Sequence, residues 1–93
     1  MKIVKDKTAI LLIINEVRCV VQSYAEDDFV NLSPVQDGRE FFEDSLSNIR
    51  IDFVNHRIST EGKENAKWKE FVSVLSIDEI NNILKTNKKG TLW

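Results

Sequence analysis

The chain has 93 residues, 42% hydrophobic and 30% charged, with a formal net charge of −2. That length fits one domain, and the composition is that of a globular chain rather than a disordered one. The near-neutral charge and a single cysteine exclude a strongly basic DNA reader, an internal disulfide and a cysteine-based zinc site. A disulfide-free domain of this size suits a reducing compartment, so a cytoplasmic protein is expected. One proline and three glycines are few breakers, which favours long regular elements.

Lys2, Lys5 and Lys7 precede the apolar run 9–14. This has the outline of a signal-peptide start, but the run is short and Asn15, Glu16 and Arg18 follow it. It is also far below the ~20 apolar residues of a membrane span, so no membrane role is expected. Ile10, Ile13, Ile14, Val17, Val20, Val21 and Tyr24 recur at spacings of three and four, which predicts a helix over about 8–25. Many of these residues are β-branched, so a buried strand over 8–15 is the rival reading. Residues 26–37 read as a loop, with the acidic run Glu26-Asp27-Asp28 and a Ser33-Pro34 turn signal.

Phe42, Leu46, Ile49 and Phe53 predict a second helix over about 39–55. Its second half also alternates at Ile49, Ile51 and Phe53, as a strand would. Residues 59–65 are polar, contain Gly62 and read as a loop. Trp68, Phe71, Val72 and Leu75 form a third helical stripe. Ser76-Ile77-Asp78-Glu79 has the form of a capping box, which opens a fourth helix through Ile80, Ile83 and Leu84, with Gly90 beyond its end. The expected fold is therefore all-α: a small bundle of about four helices, the second half of helix 2 being open to a strand reading. The expected core is Ile10, Ile13, Val17, Phe42, Leu46, Ile49, Trp68, Val72, Leu75, Ile80 and Leu84.

Catalytic groups are sparse. His56, the sole histidine, follows Asp52 by four residues and would share a helical face with it. Without a nucleophile, metal or third orienting group the pair reads as a surface or capping contact rather than an acid–base site. Cys19 reads as a small packing residue, since a reactive thiol needs exposure and a facing cation. No metal-ligand spacing and no glycine-rich phosphate loop occur, so no enzyme, cofactor or metal is expected. Lys85, Lys88 and Lys89 after the last two helices loosely suggest a helix-turn-helix. The acidic start at Asp78 and Glu79 argues against it, because base contacts form at that end. Nucleic acid is not the expected partner.

Charge is distributed unevenly. Residues 1–25 carry +2, residues 26–52 carry −6 and residues 53–93 carry +2. Such an acidic third attracts a basic protein over about a Debye length, ~8–10 Å at physiological salt, or is simply a solvated face. The candidate partner-binding residues are Glu26, Asp27, Asp28, Asp37, Glu40, Glu43 and Asp44.

Three features over residues 8–45 resemble the colicin D type of bacterial immunity protein. Thr8-Ala9-Ile10 opens a helix that runs through Val17, Arg18, Cys19 and Val20. An acidic loop leads to Leu32-Ser33-Pro34. Gly38-Arg39-Glu40-Phe41-Phe42 then starts the next helix, with a changed spacing between the proline and the glycine. The resemblance implies a small helical protein that fills the basic active-site cleft of a tRNA-cleaving nuclease toxin with acidic side chains. The expected function is thus a non-catalytic inhibitor of a basic nuclease. The alternatives are a small helical adaptor working through an apolar helix face, with a homodimer as one form, and a DNA-binding regulator.

Overall fold

A computed structural model describes residues 1–5, 10–34, 48–61 and 66–88. Six strands form one antiparallel sheet: β1 (Lys2–Lys5), β2 (Ile10–Ile14), β3 (Val17–Ala25), β4 (Phe29–Pro34), β5 (Asn48–Asp52) and β6 (Arg57–Glu61). Their order in the sheet is their order in the chain. Among the described residues two helices follow, α1 (Ala66–Ser73) and α2 (Ile77–Lys88). The expected all-α bundle is therefore wrong.

The first expected helix is a hairpin. Ile14 pairs with Val17 across a two-residue turn, in which Asn15 and Glu16 have φ of 48° and 69°. Two positive φ angles in a two-residue connection define the primed turn whose twist matches a hairpin. The run Ile10-Leu11-Leu12-Ile13-Ile14 is apolar on both sides and so hides the alternation of a strand. Dense apolar runs fit a helical and an extended template equally. The segment that resembled an immunity-protein helix is thus β2 and β3, and Leu32-Ser33-Pro34 ends β4 rather than forming a turn. The expected 26–37 loop contains β4. The expected second helix is strand and turn over 48–56, as the alternation of Ile49, Ile51 and Phe53 allowed. Its earlier part lies outside the described residues. The expected 59–65 loop begins inside β6.

Strand register sorts the side chains. Leu12 faces Cys19, Ile14 faces Val17, Val30 faces Ile51 and Leu32 faces Ile49 across adjacent strands. All eight are at most 5% exposed. They line one face of the sheet, because partners in an antiparallel pair point to the same side. The register of β3 on β4 shifts between Val21 and Ser23, the mark of a bulge, which re-phases the far end of β3. Trp68 and Phe71 of α1 and Ile80 and Leu84 of α2 complete the same apolar cluster.

The two helices match the expectation. The Glu79 N–H donates to Ser76 Oγ at 3.3 Å, and the Ile80 N–H donates to the Ser76 carbonyl at 3.0 Å. Ser76 is thus the cap foreseen in the sequence. Of the expected core, Val17, Ile49, Trp68, Ile80 and Leu84 are buried, while Ile10, Ile13, Val72 and Leu75 are half-buried. Phe42 and Leu46 lie outside the described residues. Leu12, Ile14, Cys19, Val30, Leu32, Ile51 and Phe71 are core residues that the helical phase missed. No helix among the described residues is long and apolar enough to cross a membrane.

Candidate functional site

The turn from β3 to β4 holds Glu26, Asp27 and Asp28, all exposed. Asp27 has φ of 63°, a left-handed position that aspartate tolerates better than most residues. The Asp28 N–H closes the turn on the Ala25 carbonyl at 2.9 Å, and the Phe53 N–H donates to the Asp28 carbonyl at 2.8 Å. The second bond places the β5–β6 turn, residues 53–56, beside the acidic turn.

Helix α2 runs past both turns. Lys85 Nζ lies 2.5 Å from Asp27 Oδ1, and Asn81 Nδ2 donates to the same oxygen at 3.4 Å. Asp27 therefore anchors the turn to the helix, and Lys85 offsets its charge. At the start of α2, Asp78 Oδ1 lies 3.3 Å from His56 Nε2. Asp78 and Glu79 are exposed in the first turn, where the helix dipole favours carboxylates. One end of the molecule thus gathers Glu26, Asp28, Asp78 and Glu79, with Asp27 partly neutralised. The Tyr24 hydroxyl responds to this environment: burial first, then the negative charges of Glu26 and Asp27, raises its pKa.

Asp52 and His56 do not form the helical pair expected of them. Asp52 Oδ1 accepts from the N–H groups of Val54 and Asn55, both at 3.0 Å, and Asp52 Oδ2 accepts from Asn55 Nδ2 at 2.7 Å. The Asn55 side-chain bond, followed by its backbone bond, holds the Asp52 carboxyl below the usual range. Asp52 organises a turn, and His56, with φ of 54°, closes it.

Of the residues singled out from sequence, the structure brings Glu26, Asp27 and Asp28 together. Asp37, Glu40, Glu43 and Asp44 lie outside the described residues. Asp78 and Glu79 were read only as a helix start. Their capping position was visible in the sequence, but their approach to the 26–28 turn depends on the sheet. No group of three or more His, Cys, Asp or Glu among the described residues is placed to hold a metal ion.

The sheet face opposite the core carries a second polar feature. Ser23 pairs with Asn31, Asn31 with Arg50 and Arg50 with Ser59 across β3 to β6. Asn31 Nδ2 donates to Ser23 Oγ at 2.8 Å, and Arg50 donates to Asn31 Oδ1 at 3.5 Å. The Arg50 guanidinium sits 4.0 Å from the centre of the Phe29 ring, a contact of about 0.5–1 kcal/mol at an exposed site. A shallow depression of ≈ 320 Å³ lies over this row, lined also by Gln22, Asn48 and Glu61. It offers hydrogen-bonding groups but no nucleophile beside a base. Cys19 is not a nucleophile for either region: it is 0% exposed, and burial pushes its thiol up to about 12. The expected apolar helix faces are spent in the core, since Trp68, Phe71, Ile80 and Leu84 are at most 4% exposed.

Compared with protein-family models, curated proteins and solved structures, the chain matches none.

Proposed function

We propose that this chain is a non-catalytic binding domain that docks a basic protein partner with its acidic end. The observation that carries this reading is the convergence of Glu26, Asp28, Asp78 and Glu79 on one end from separate parts of the sequence. The hydrogen bond from Phe53 to Asp28 and the His56–Asp78 and Lys85–Asp27 contacts hold the turns and α2 together there. A fixed carboxylate set loses less freedom on binding than a mobile tail does. Its field steers a cationic surface into register and rejects acidic ones. A nuclease that grips RNA phosphates with lysine and arginine is one such partner, the carboxylates standing in for phosphates. Asp37, Glu40, Glu43 and Asp44 join the reading by charge alone. The setting that goes with it is the cytoplasm, where a core without disulfides is sufficient.

The test is a binding assay against the product of the neighbouring gene, at several salt concentrations. Reversing Glu26, Asp28 and Asp78 to Lys is expected to weaken binding at least ~10-fold, and added salt to slow association. Reversing Lys67 and Lys69 to Glu is expected to leave binding within about twofold. Equal binding by both triply and doubly reversed chains, each shown to be folded by circular dichroism, would remove the acidic end from the mechanism.

A further inference from the structure

The side of the sheet turned away from the helices carries two opposite charges that do not meet. Ile49 and Ile51 are buried in the core. Asn48 and Arg50 therefore stand on the other face of β5, because successive side chains of a strand alternate. On β6, Ser59 lies opposite Arg50 and Glu61 lies opposite Asn48, on the same face. Arg50 and Glu61 are thus diagonal neighbours, about 7–8 Å apart at the backbone, a gap that two long side chains can close. They leave it open. The Arg50 guanidinium sits over the Phe29 ring at 4.0 Å and donates to Asn31 Oδ1 at 3.5 Å. Phe29 pairs with Asp52 and Glu61 with Asn48, so the ring draws Arg50 toward the end of β5 away from the carboxylate.

Between the two charges lies the depression of ≈ 320 Å³, lined by Gln22, Asn31, Asn48, Arg50, Ser59 and Glu61. Its volume is at the small end of the ~300–1,000 Å³ of ligand sites, so it suits a small molecule. Among the described residues, Gln22, Asn48, Ser59 and Glu61 engage no side-chain hydrogen bond or ion pair. Arg50 gives one N–H to Asn31 and keeps the rest of its fork of donors. Asn31 is held in place from the other side, since its Nδ2 donates to Ser23 Oγ at 2.8 Å. The depression thus has a cationic end, a carboxylate end, and uncharged donors and acceptors between them.

We propose that this depression binds a small zwitterion of free amino-acid size, its carboxylate on Arg50 and its ammonium on Glu61. The guanidinium fork matches a carboxylate, which accepts two N–H bonds from it at once. The ligand ammonium donates to the Glu61 carboxylate, and Asn48 Oδ1 and Ser59 Oγ supply further acceptors on the same face. A ligand with a single charge meets one attractive and one repulsive group, so the pair selects against simple anions and simple cations. Both charges are exposed, and each contributes as a surface ion pair does. The expected dissociation constant is therefore in the millimolar range. Asn48 and Glu61 are at the far ends of β5 and β6 from the 53–56 turn. The site is separate from the acidic end and stands or falls independently of the proposed function.

The experiment is a nuclear magnetic resonance titration of the whole 15N-labelled chain. The probes are L-alanine, β-alanine and 4-aminobutanoate, which carry the same two charges at growing separation. Propionate, propylamine and glucose are the anionic, cationic and neutral counterparts. At least one of the zwitterions is expected to shift the side-chain amide signals of Gln22 and Asn48 saturably in the millimolar range, and none of the counterparts as tightly. Glu61→Gln is expected to weaken that zwitterion about three- to fivefold and to strengthen propionate, whose repulsion it removes. Arg50→Gln is expected to cause a similar loss and to strengthen propylamine. A merely structural role for either residue would not exchange the preference in this way. Arg50 also contacts Phe29 and Asn31, so Glu61→Gln, which breaks no contact within the described chain, carries the test if the Arg50 variant has a disturbed spectrum. Absence of a saturable shift with all three zwitterions overturns the proposal. So does wild-type binding of propionate, propylamine or glucose as tight as that of the best zwitterion, or a folded Glu61→Gln chain with unchanged preference.

Discussion

At the scale of single residues, two aspartates among the described residues are occupied with holding turns. Asp52 holds the 53–56 turn through three hydrogen bonds, and Asp27 binds the 26–28 turn to α2. Charge counted along the chain therefore overstates what Asp27 offers to a partner, since Lys85 already faces it. Cys19 shows the same difference between a residue type and its setting. Burial raises its thiol from 9.0 to about 12. The folded chain thus holds its thiol proton more tightly than the unfolded chain does. Cys19 contributes stability that is complete below pH ~9 and is lost as pH rises toward about 12. A thiol-specific reagent at pH ~8 is expected to label the native protein only as fast as it unfolds, and to label it at once in denaturant. Cys19→Ala is expected to lower stability by about 1 kcal/mol or more at neutral pH, from the cavity it leaves. The variant is also expected to flatten the decline in the urea midpoint above pH ~9. Rapid labelling of the native chain would show that the thiol is not enclosed.

At the scale of elements, turns decide the fold more than stripes do. The β2–β3 hairpin depends on Asn15 and Glu16 both adopting positive φ. Asparagine accepts that conformation readily, whereas glutamate does so at a cost of about 1 kcal/mol. Glu16→Gly supplies the residue that a primed turn favours at that point. It is expected to raise unfolding free energy by ~0.5–1 kcal/mol, measured by urea denaturation, with the m-value unchanged. A loss of stability would mean that the Glu16 side chain holds the hairpin by a contact worth more than the strain. This turn also explains what was legible in the sequence. An Asn-Gly pair between two apolar runs would have announced a hairpin, but Asn15-Glu16 sits inside a pattern that matches a 3.6-residue period over four turns. The helices were legible because their signals are local: Ser76 caps α2, and the Trp68, Phe71, Ile80 and Leu84 spacings belong to isolated amphipathic stripes. The strand at 49–52 left its trace in alternation, and β4 was hidden behind the Ser33-Pro34 turn signal. The acidic end was half legible. Glu26, Asp27 and Asp28 are contiguous, but Asp78 reaches them only through His56 and the neighbouring turn, a contact between residues 22 positions apart.

At the scale of the whole molecule, one apolar cluster joins the meander to the helices that follow it. Leu32 lies on β4 near the middle of the sheet and Leu84 lies on α2, and both are 0% exposed within that cluster. The sheet side supplies Leu12, Ile14, Val30, Ile49 and Ile51, the helix side Trp68, Phe71 and Ile80, so neither layer can bury its apolar face without the other. Sheet and helices are accordingly expected to unfold in one transition. Leu32→Ala and Leu84→Ala are each expected to cost about 2–5 kcal/mol, the range for a fully buried leucine, even though they sit in different layers. Because stabilities of small domains are commonly ~5–15 kcal/mol, either change is expected to move the urea midpoint far toward zero. The decisive measurement follows each variant by far-ultraviolet circular dichroism and by tryptophan fluorescence, with buried Trp68 reporting on the helix–sheet junction. Coincident curves are expected for the wild type and for both variants. If Leu84→Ala instead melts the helices early and leaves a sheet transition in place, the layers are separate cooperative units. The acidic end would then rest on a weaker frame, because Asp78 and Glu79 ride on α2 while Glu26 and Asp28 ride on the sheet.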